Sequence, residues 1–373
     1  MSTFDVSNTP VATYVIAPQL DIRLGPRPYL HPVTTLSGTT VTDALCQDHP
    51  WHLGASLALQ DVNGINFWGG RTYVRDQGYT WLDDHGRIVP VTSPPDGAGV
   101  SASSASSASS ASGVGTVAAS GAVAAAPSGG AATSSASGAG VGAFPSGEAA
   151  TSSASSAGVG ASPSGGVAAS SAAGVGAGAT PSGGAPPSGG ASPSGGTSID
   201  GAHVFAWQDE RGTTLLTERR ELSADLAPGG WQLTLRYALS APATQAVTLG
   251  SPATNGRPGG AGYGGFFWRA APVPVSGETL TFTQSRMGEH AVNGSAEPWL
   301  ALRAGDAYTL VFRGLRDNDR WFVRTADYPG VCAALAFDRP LTLPPGAALE
   351  REIKVLISDD ATLEPDDIAK LIA

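Results

Sequence analysis

Trp231-Gln232-Leu233-Thr234-Leu235-Arg236-Tyr237-Ala238-Leu239 decides the fold. Every odd position is large and apolar, and every even one is polar or small. A period of two puts the apolar set on one face of an extended chain, so the stretch reads as a half-buried antiparallel strand. Residues 307–312 and 351–357 repeat the pattern. Gln208-Asp209-Glu210-Arg211-Gly212-Thr213 reads as a hairpin turn between two such runs. Helical periodicity is nearly absent. The exception is the tail, residues 364–372, where proline and acids at the start suit a short helix N-terminus.

Residues 97–198 differ from both flanks. They are almost wholly Ala, Gly, Ser, Pro, Thr and Val, with Glu148 as the sole charge and Phe144 as the sole aromatic. Pro-Ser-Gly recurs at Pro127, Pro145, Pro163 and Pro181, a spacing of eighteen each time. A fixed period can mean a stacked solenoid, but these units have no large apolar residues to bury between copies. Ordering a residue costs about 1–2 kcal/mol, with little burial here to offset it. The tract is expected to be a disordered insertion grown by repeat duplication. Gly86–Thr92 and Ala202–Gln208 on either side both read as strands. The expected organisation is one β domain in two pieces, residues 1–96 and 199–373, with 97–198 replacing a surface loop. Closure cost grows only logarithmically with loop length, so such an insertion is tolerated. Many strands over roughly 270 folded residues suggest an all-β, large antiparallel two-sheet sandwich.

The net charge is −10 and the pI is about 5.0. No Lys/Arg cluster is large enough to neutralise several phosphates, which argues against nucleic acid and against an anionic membrane surface. The N-terminus has no basic stretch followed by an apolar one, and no segment is apolar over the roughly 18–20 residues of a membrane helix. A soluble, cytoplasmic protein is expected. The two cysteines, Cys46 and Cys332, are too few and too far apart for a disulfide framework. Cys46 reads as a small hydrophobe beside a site, with a reactive thiol as the alternative.

That site begins at Gln47-Asp48-His49-Pro50-Trp51-His52-Leu53-Gly54. Upstream lies Arg27-Pro28-Tyr29-Leu30-His31-Pro32-Val33, and downstream Asp61-Val62-Asn63-Gly64-Ile65-Asn66-Phe67-Trp68-Gly69-Gly70. Pro50 forbids a continuing helix and favours an extended His49, so the segment is a loop or strand end. Three readings compete. His49 or His52 could act as an acid/base group oriented by Asp48. His31, His49 and His52 could ligate a metal with an open position. Or the imidazoles could hydrogen-bond backbone within a polar core. Asn63-Gly64 reads as a tight turn with a structural role.

In the second half, Tyr263-Gly264-Gly265-Phe266-Phe267-Trp268-Arg269, Glu297-Pro298-Trp299 and Trp321-Phe322-Val323-Arg324 carry the other candidates. Arg269 and Arg324 offer planar forks for a carboxylate or vicinal hydroxyls. Glu297 is the candidate carboxylate to face an imidazole across the site. Tyr29, Trp51, Phe67, Trp68, Phe267, Trp268, Trp299 and Trp321 could stack on a pyranose or anchor the core. No nucleophile elbow, nucleotide fingerprint or His-Glu-x-x-His is present.

Together and in this order, the motifs resemble the PmoA-like family, whose name refers to a methane oxygenase. That family usually reads Asp-His-Pro-His-His, and here Trp51 stands at the middle histidine. The resemblance implies a galactose-mutarotase-like supersandwich whose concave face binds sugars. In sugar mutarotases a His/Glu pair opens and closes the ring. The expected function is therefore acid/base chemistry on a sugar or sugar derivative, of isomerase, epimerase or lyase type. Catalysis would fall to His49, His52, Asp48 and Glu297. Binding would fall to Arg27, Tyr29, His31, Trp51, Trp68, Arg269, Trp321 and Arg324. No cofactor is expected, and the expected partner is a small carbohydrate. Alternatives are carbohydrate binding without catalysis, and a metal enzyme built on the histidine cluster.

Overall fold

A computed structural model describes residues 1–91, the backbone of 197–198, residues 202–272 and residues 277–373. Apart from Thr197–Ser198, the repeat tract lies outside these residues. The strand that opens the sequence reading spans Gly230–Ser240 and pairs antiparallel with Thr214–Ala227 on one side and Ala348–Ser358 on the other. Trp231, Leu233, Leu235, Tyr237 and Leu239 all enter the main hydrophobic core, as the period of two requires. Opposite them stand Ile357, Val355 and Ile353, so the register matches apolar to apolar.

This ladder is the middle of a nine-stranded antiparallel sheet. Its continuous order is Thr279–Phe282, Trp299–Ala304, Tyr308–Arg313, Ala348–Ser358, Gly230–Ser240, Thr214–Ala227, His203–Gln208 and Arg87–Pro90, and Thr197–Ser198 also pairs with Thr214–Ala227. His203–Gln208 pairs with Arg87–Pro90, so strands from both sides of the repeat tract are neighbours in one sheet. The turn at 208–213 forms as expected: Asp209 N donates to Thr213 O, and Asp209 Oδ1 accepts from Thr213 N at 2.7 Å. The tail helix spans Pro365–Leu371, with a capping box between Glu364 and Asp367, and buries Ile368 against the outer face of this sheet.

A second, seven-stranded sheet runs Ser2–Val6, Thr9–Val15, Tyr29–Val33, Ala55–Ala58, Gly265–Arg269, Gly330–Ala334 and Arg320–Arg324. Phe266, Trp268, Val331, Ala333, Trp321 and Val323 point into the core shared with the large sheet. The chain is thus an all-β two-sheet sandwich. Strand 265–269 is buried at every position, so it does not alternate with solvent. Its other face carries Phe267, which joins Phe322, Cys332, Ala334, Ala58, Trp68 and Tyr263 in a separate cluster. Loops cover that face, and they carry the Asp48–His52 segment.

Within the core, Trp207 donates from Nε1 to Glu218 Oε2 at 2.9 Å, and Arg220 Nε donates to Glu218 Oε1 at 2.6 Å. Glu218 is fully buried. Both ionic residues occupy the inward positions of strand 214–227, between Leu216 and Leu222.

Candidate functional site

Arg269 follows Phe267 by two residues and so points to the same outer face. It is 5% exposed. Nη2 donates to both Asp48 carboxylate oxygens, at 3.2 and 3.0 Å, and Nη1 meets His52 Nδ1 at 3.2 Å. Asp48 in turn accepts from His49 Nδ1 at 2.8 Å. Burial would raise the Asp48 pKa, but the His49 hydrogen bond and the Arg269 charge outweigh it and hold the carboxyl below its ordinary value. With Nδ1 committed to Asp48, the imidazole of His49 offers Nε2 from a half-buried ring.

His52 lies beneath. Its ring stacks on His49 with centroids 4.7 Å apart and is walled by Phe267, Tyr328 and Trp68. Arginine can only donate, so Nδ1 accepts and the neutral ring carries its proton on Nε2. Burial first, then the charges of His49, Arg269 and Arg27, pull the His52 pKa well below its ordinary value. In the unfolded chain a histidine titrates near 6.5. Below that pH the unfolded state therefore binds a proton that native His52 refuses, and stability rises with pH up to about 6.5 and falls beneath it. His31 and His203 are lowered as well, chiefly by burial, and add the same sign. Urea midpoints are expected to be flat above pH 7 and to drop from pH 6.5 toward 5. His52→Gln should remove up to about 1.4 kcal/mol per pH unit of that slope. An unchanged slope in the variant would contradict the buried, neutral assignment.

The local sequence explains how this loop is held. Gly54 adopts φ +47, and a β-carbon there would lie 2.1 Å from Leu30 O, so the strand entry at 54 requires glycine. Trp51 packs on Gly69 and Gly70, where β-carbons would fall 2.7 and 2.6 Å from its side chain. Asn66 Oδ1 accepts from Trp68 N and Gly69 N, and His85 Nε2 donates to Gly70 O at 2.7 Å. Asn63 and Gly64 both take positive φ, forming the expected turn.

The other expected residues fall in several places. Arg27 is fully buried and ties Ser56 Oγ to the carbonyls of Gly25, Trp68 and Trp51. Its pKa drops to about 9 through burial, with Arg220 adding to the shift, so it stays charged at neutral pH. Trp321 is fully buried in the main core and donates to Glu297 O. Phe67 and Trp268 are core anchors too, and Trp299 anchors the cluster under the tail helix. Trp68 forms the floor behind His52 rather than an exposed platform. Glu297 is engaged elsewhere: its Oε1 accepts from Ser285 Oγ and pairs with Arg286. His31 bonds Thr42 through Nδ1 instead of joining His49 and His52. Among the described residues no group of three or more His, Cys, Asp or Glu side chains is disposed to hold a metal ion. Tyr29 is half-buried beside Ser56 in the sheet. The Cys46 thiol donates to Asp43 and is pushed up to about 12 by burial and by that bond, so it is inert.

The structure adds residues that sequence reasoning missed. Tyr328 packs against both His49 and His52, with Arg269 Cζ 4.6 Å over its ring. Trp81, about half exposed, meets Trp51 edge-on at 6.4 Å. Tyr79 and Tyr263 share a hydrogen bond of 3.0 Å, and Arg257 donates to Tyr79. Arg324 lies over Phe322 and pairs with Glu289 at 3.5 Å. A separate cavity of about 230 Å³ lies at the large sheet, lined in part by Arg219, Glu221, Arg236 and Glu352. Its charges already pair with one another, Arg219 with Glu221 and Arg236 with Glu352, leaving little to recruit a ligand.

A two-sheet β-sandwich with a His–Asp–Arg cluster under an aromatic rim is the class that these observations define. The chain belongs to the family described as "Family of unknown function (DUF6807)", matched over residues 2–107 and 193–373. Comparison with curated proteins gives no match. Among solved structures it is similar to a "Putative aldose 1-epimerase" from Escherichia coli K12, at 9% identity and a TM-score of 0.23, over 44% of this chain and 68% of that one. Among the described residues no helix is long and apolar enough to cross a membrane.

Proposed function

We propose that the outer face of the seven-stranded sheet is a carbohydrate site and that His49 performs acid/base chemistry there. The observation that carries this reading is the relay Arg269–Asp48–His49. A buried guanidinium fixes a carboxylate, and the carboxylate fixes one imidazole nitrogen. The other nitrogen is then oriented and its tautomer set, which is what a general base or acid needs. Trp51 and Trp81 supply flat apolar faces at the rim, and Tyr328 supplies a hydroxyl beside His49. Burial raises the Tyr328 pKa despite the neighbouring arginines, so the phenol stays a proton donor. His49 would take a proton from a sugar hydroxyl or from carbon next to a carbonyl, and Tyr328 would hydrogen-bond the oxygen that gains charge. His52, neutral and enclosed, positions rather than reacts. The motif resemblance to the PmoA-like family and the galactose-mutarotase-like supersandwich supports the substrate class, in a soluble cytoplasmic setting.

Binding without catalysis is the second reading. It is favoured by the engagement of Glu297 with Ser285 and Arg286 rather than with the imidazole. Both readings place the ligand against His49, and long-range ¹H–¹⁵N NMR of the six histidines tests that. Titration with a panel of sugars, sugar acids and keto-sugars is expected to shift His49 most and His52 less, leaving His31, His203 and His290 unmoved. Shifts confined to the last three would place the ligand elsewhere.

A further inference from the structure

Arg71, Arg75, Arg257, Arg269 and Arg324 surround this face, in a chain whose net charge is −10. The base of the face is Tyr328. Arg269 lies over its ring, and its hydroxyl has no hydrogen-bond partner among the described residues. Tyr263 links the other two arginines: it meets Phe322, under Arg324, at 5.4 Å and shares a hydrogen bond with Tyr79, under Arg257. Arg269 is paired with Asp48. Arg324 meets Glu289 at 3.5 Å, while that carboxylate accepts hydrogen bonds from the Thr325 and Ala326 amides and the Thr325 hydroxyl. The Arg257 side chain donates to the Tyr79 phenol and lies with Cζ 4.8 Å over its ring.

Two further guanidiniums join from the Thr72–Thr80 hairpin. Arg75 lies against Gly256, where a β-carbon would come 2.9 Å from its Cζ. Arg71 stands over Trp81 at 6.0 Å. Among the described residues Arg71, Arg75 and Arg257 form no ion pair. Asp76, Asp83 and Asp327 are exposed in the same loops and pair with none of them. Elsewhere on this chain arginines are commonly paired, as in Arg219–Glu221, Arg236–Glu352 and Arg351–Asp319. Guanidinium forks whose donors no carboxylate saturates are a receptor for an anionic group, since guanidinium matches carboxylate and phosphate geometry in a bidentate way.

We infer that the ligand of this face carries an anionic group, a carboxylate or a phosphate, held by Arg257 and Arg324, while its sugar portion lies toward His49, Tyr328 and Trp51. The inference rests on the carbohydrate reading above and narrows it to sugar acids or sugar phosphates.

Calorimetric titration of the full chain at low salt tests it. Glucuronate and galacturonate are compared with glucose and galactose, glucose 6-phosphate provides the phosphate arm, and acetate and inorganic phosphate are the sugar-free controls. At least one anionic sugar is expected to bind ten or more times more tightly than its neutral counterpart, a difference of about 1.4 kcal/mol. Which arm wins tells carboxylate from phosphate. Arg257→Gln and Arg324→Gln, each checked for folding by thermal unfolding, should each reduce the preference to threefold or less. Arg257→Lys should recover part of the preference. Equal binding of neutral and anionic sugars would overturn the inference and leave the carbohydrate reading intact. Binding of acetate or phosphate as tightly as the sugars would uphold the anion assignment and overturn the carbohydrate reading. No binding by any member would overturn both.

Discussion

Glu218→Ala is expected to destabilise the protein by about 3–5 kcal/mol, because removing one partner of a buried ion pair strands the other in a low-dielectric interior. Glu218 is fully buried and accepts from Trp207 Nε1 and Arg220 Nε. Arg220 is 3% exposed, and its Nη2 has no partner. The remaining bonds from Nη1, to Tyr14 Oη at 3.3 Å and Pro28 O at 3.4 Å, are long and neutral. They would not compensate a bare guanidinium. Thermal unfolding should fall by roughly 10 °C for a domain of this size. Glu218→Leu combined with Arg220→Met should recover most of the loss, since replacing both charges by apolar volume avoids the desolvation cost. A double variant as unstable as Glu218→Ala would mean that the pair is needed for more than its own neutralisation.

The same pair shows where sequence reading stops. Alternation gave the strands, because a half-buried sheet imposes a period of two that few other structures do. Strand 230–240 and its partners follow it residue by residue. The pattern Thr214–Ala227 places Glu218 and Arg220 inward among leucines, which a hydropathy rule would put outside. Only their mutual pairing makes the register tolerable. The Gly265–Arg269 strand, buried on both faces, likewise signals a covering layer but not what that layer is.

The candidate site was partly legible. Asp48, His49 and His52 stood out because three polar side chains crowd a proline-shaped loop, and the structure does bring them together with Arg269. Neighbouring motifs misled in a consistent way. Arg27, Trp68 and Trp321, which the sequence offers as contact residues, hold the loop and the core. Sequence shows that a side chain is rich in chemistry, not which way it points. Tyr328, Tyr79, Arg257 and Trp81 went unread because each is an isolated aromatic or arginine in a polar loop. Their chains meet only after strands far apart in sequence pair, as Gly265–Arg269 does with Ala55–Ala58 and Gly330–Ala334. An aromatic paired with an arginine in each of several loops facing one sheet was the only available signal.

A ligand site at Asp48–His52 and a polar core there differ in what truncation costs, so affinity measured beside stability separates them. The measurement is titration of parent, His49→Ala and His31→Ala with the best-binding member of the sugar and sugar-acid panel, with urea unfolding of each. His49 is half-buried, and its replaceable bond is to an exposed carboxylate, so truncation should cost no more than about 1 kcal/mol of stability. Binding should fall at least thirtyfold in His49→Ala, because one oriented charged or hydrogen-bonding group is worth about 2 kcal/mol or more when the ligand relies on it. His31→Ala, bonded to Thr42 away from the relay, should bind like the parent. Parental affinity in His49→Ala, or an affinity loss matched in His31→Ala, would contradict the account.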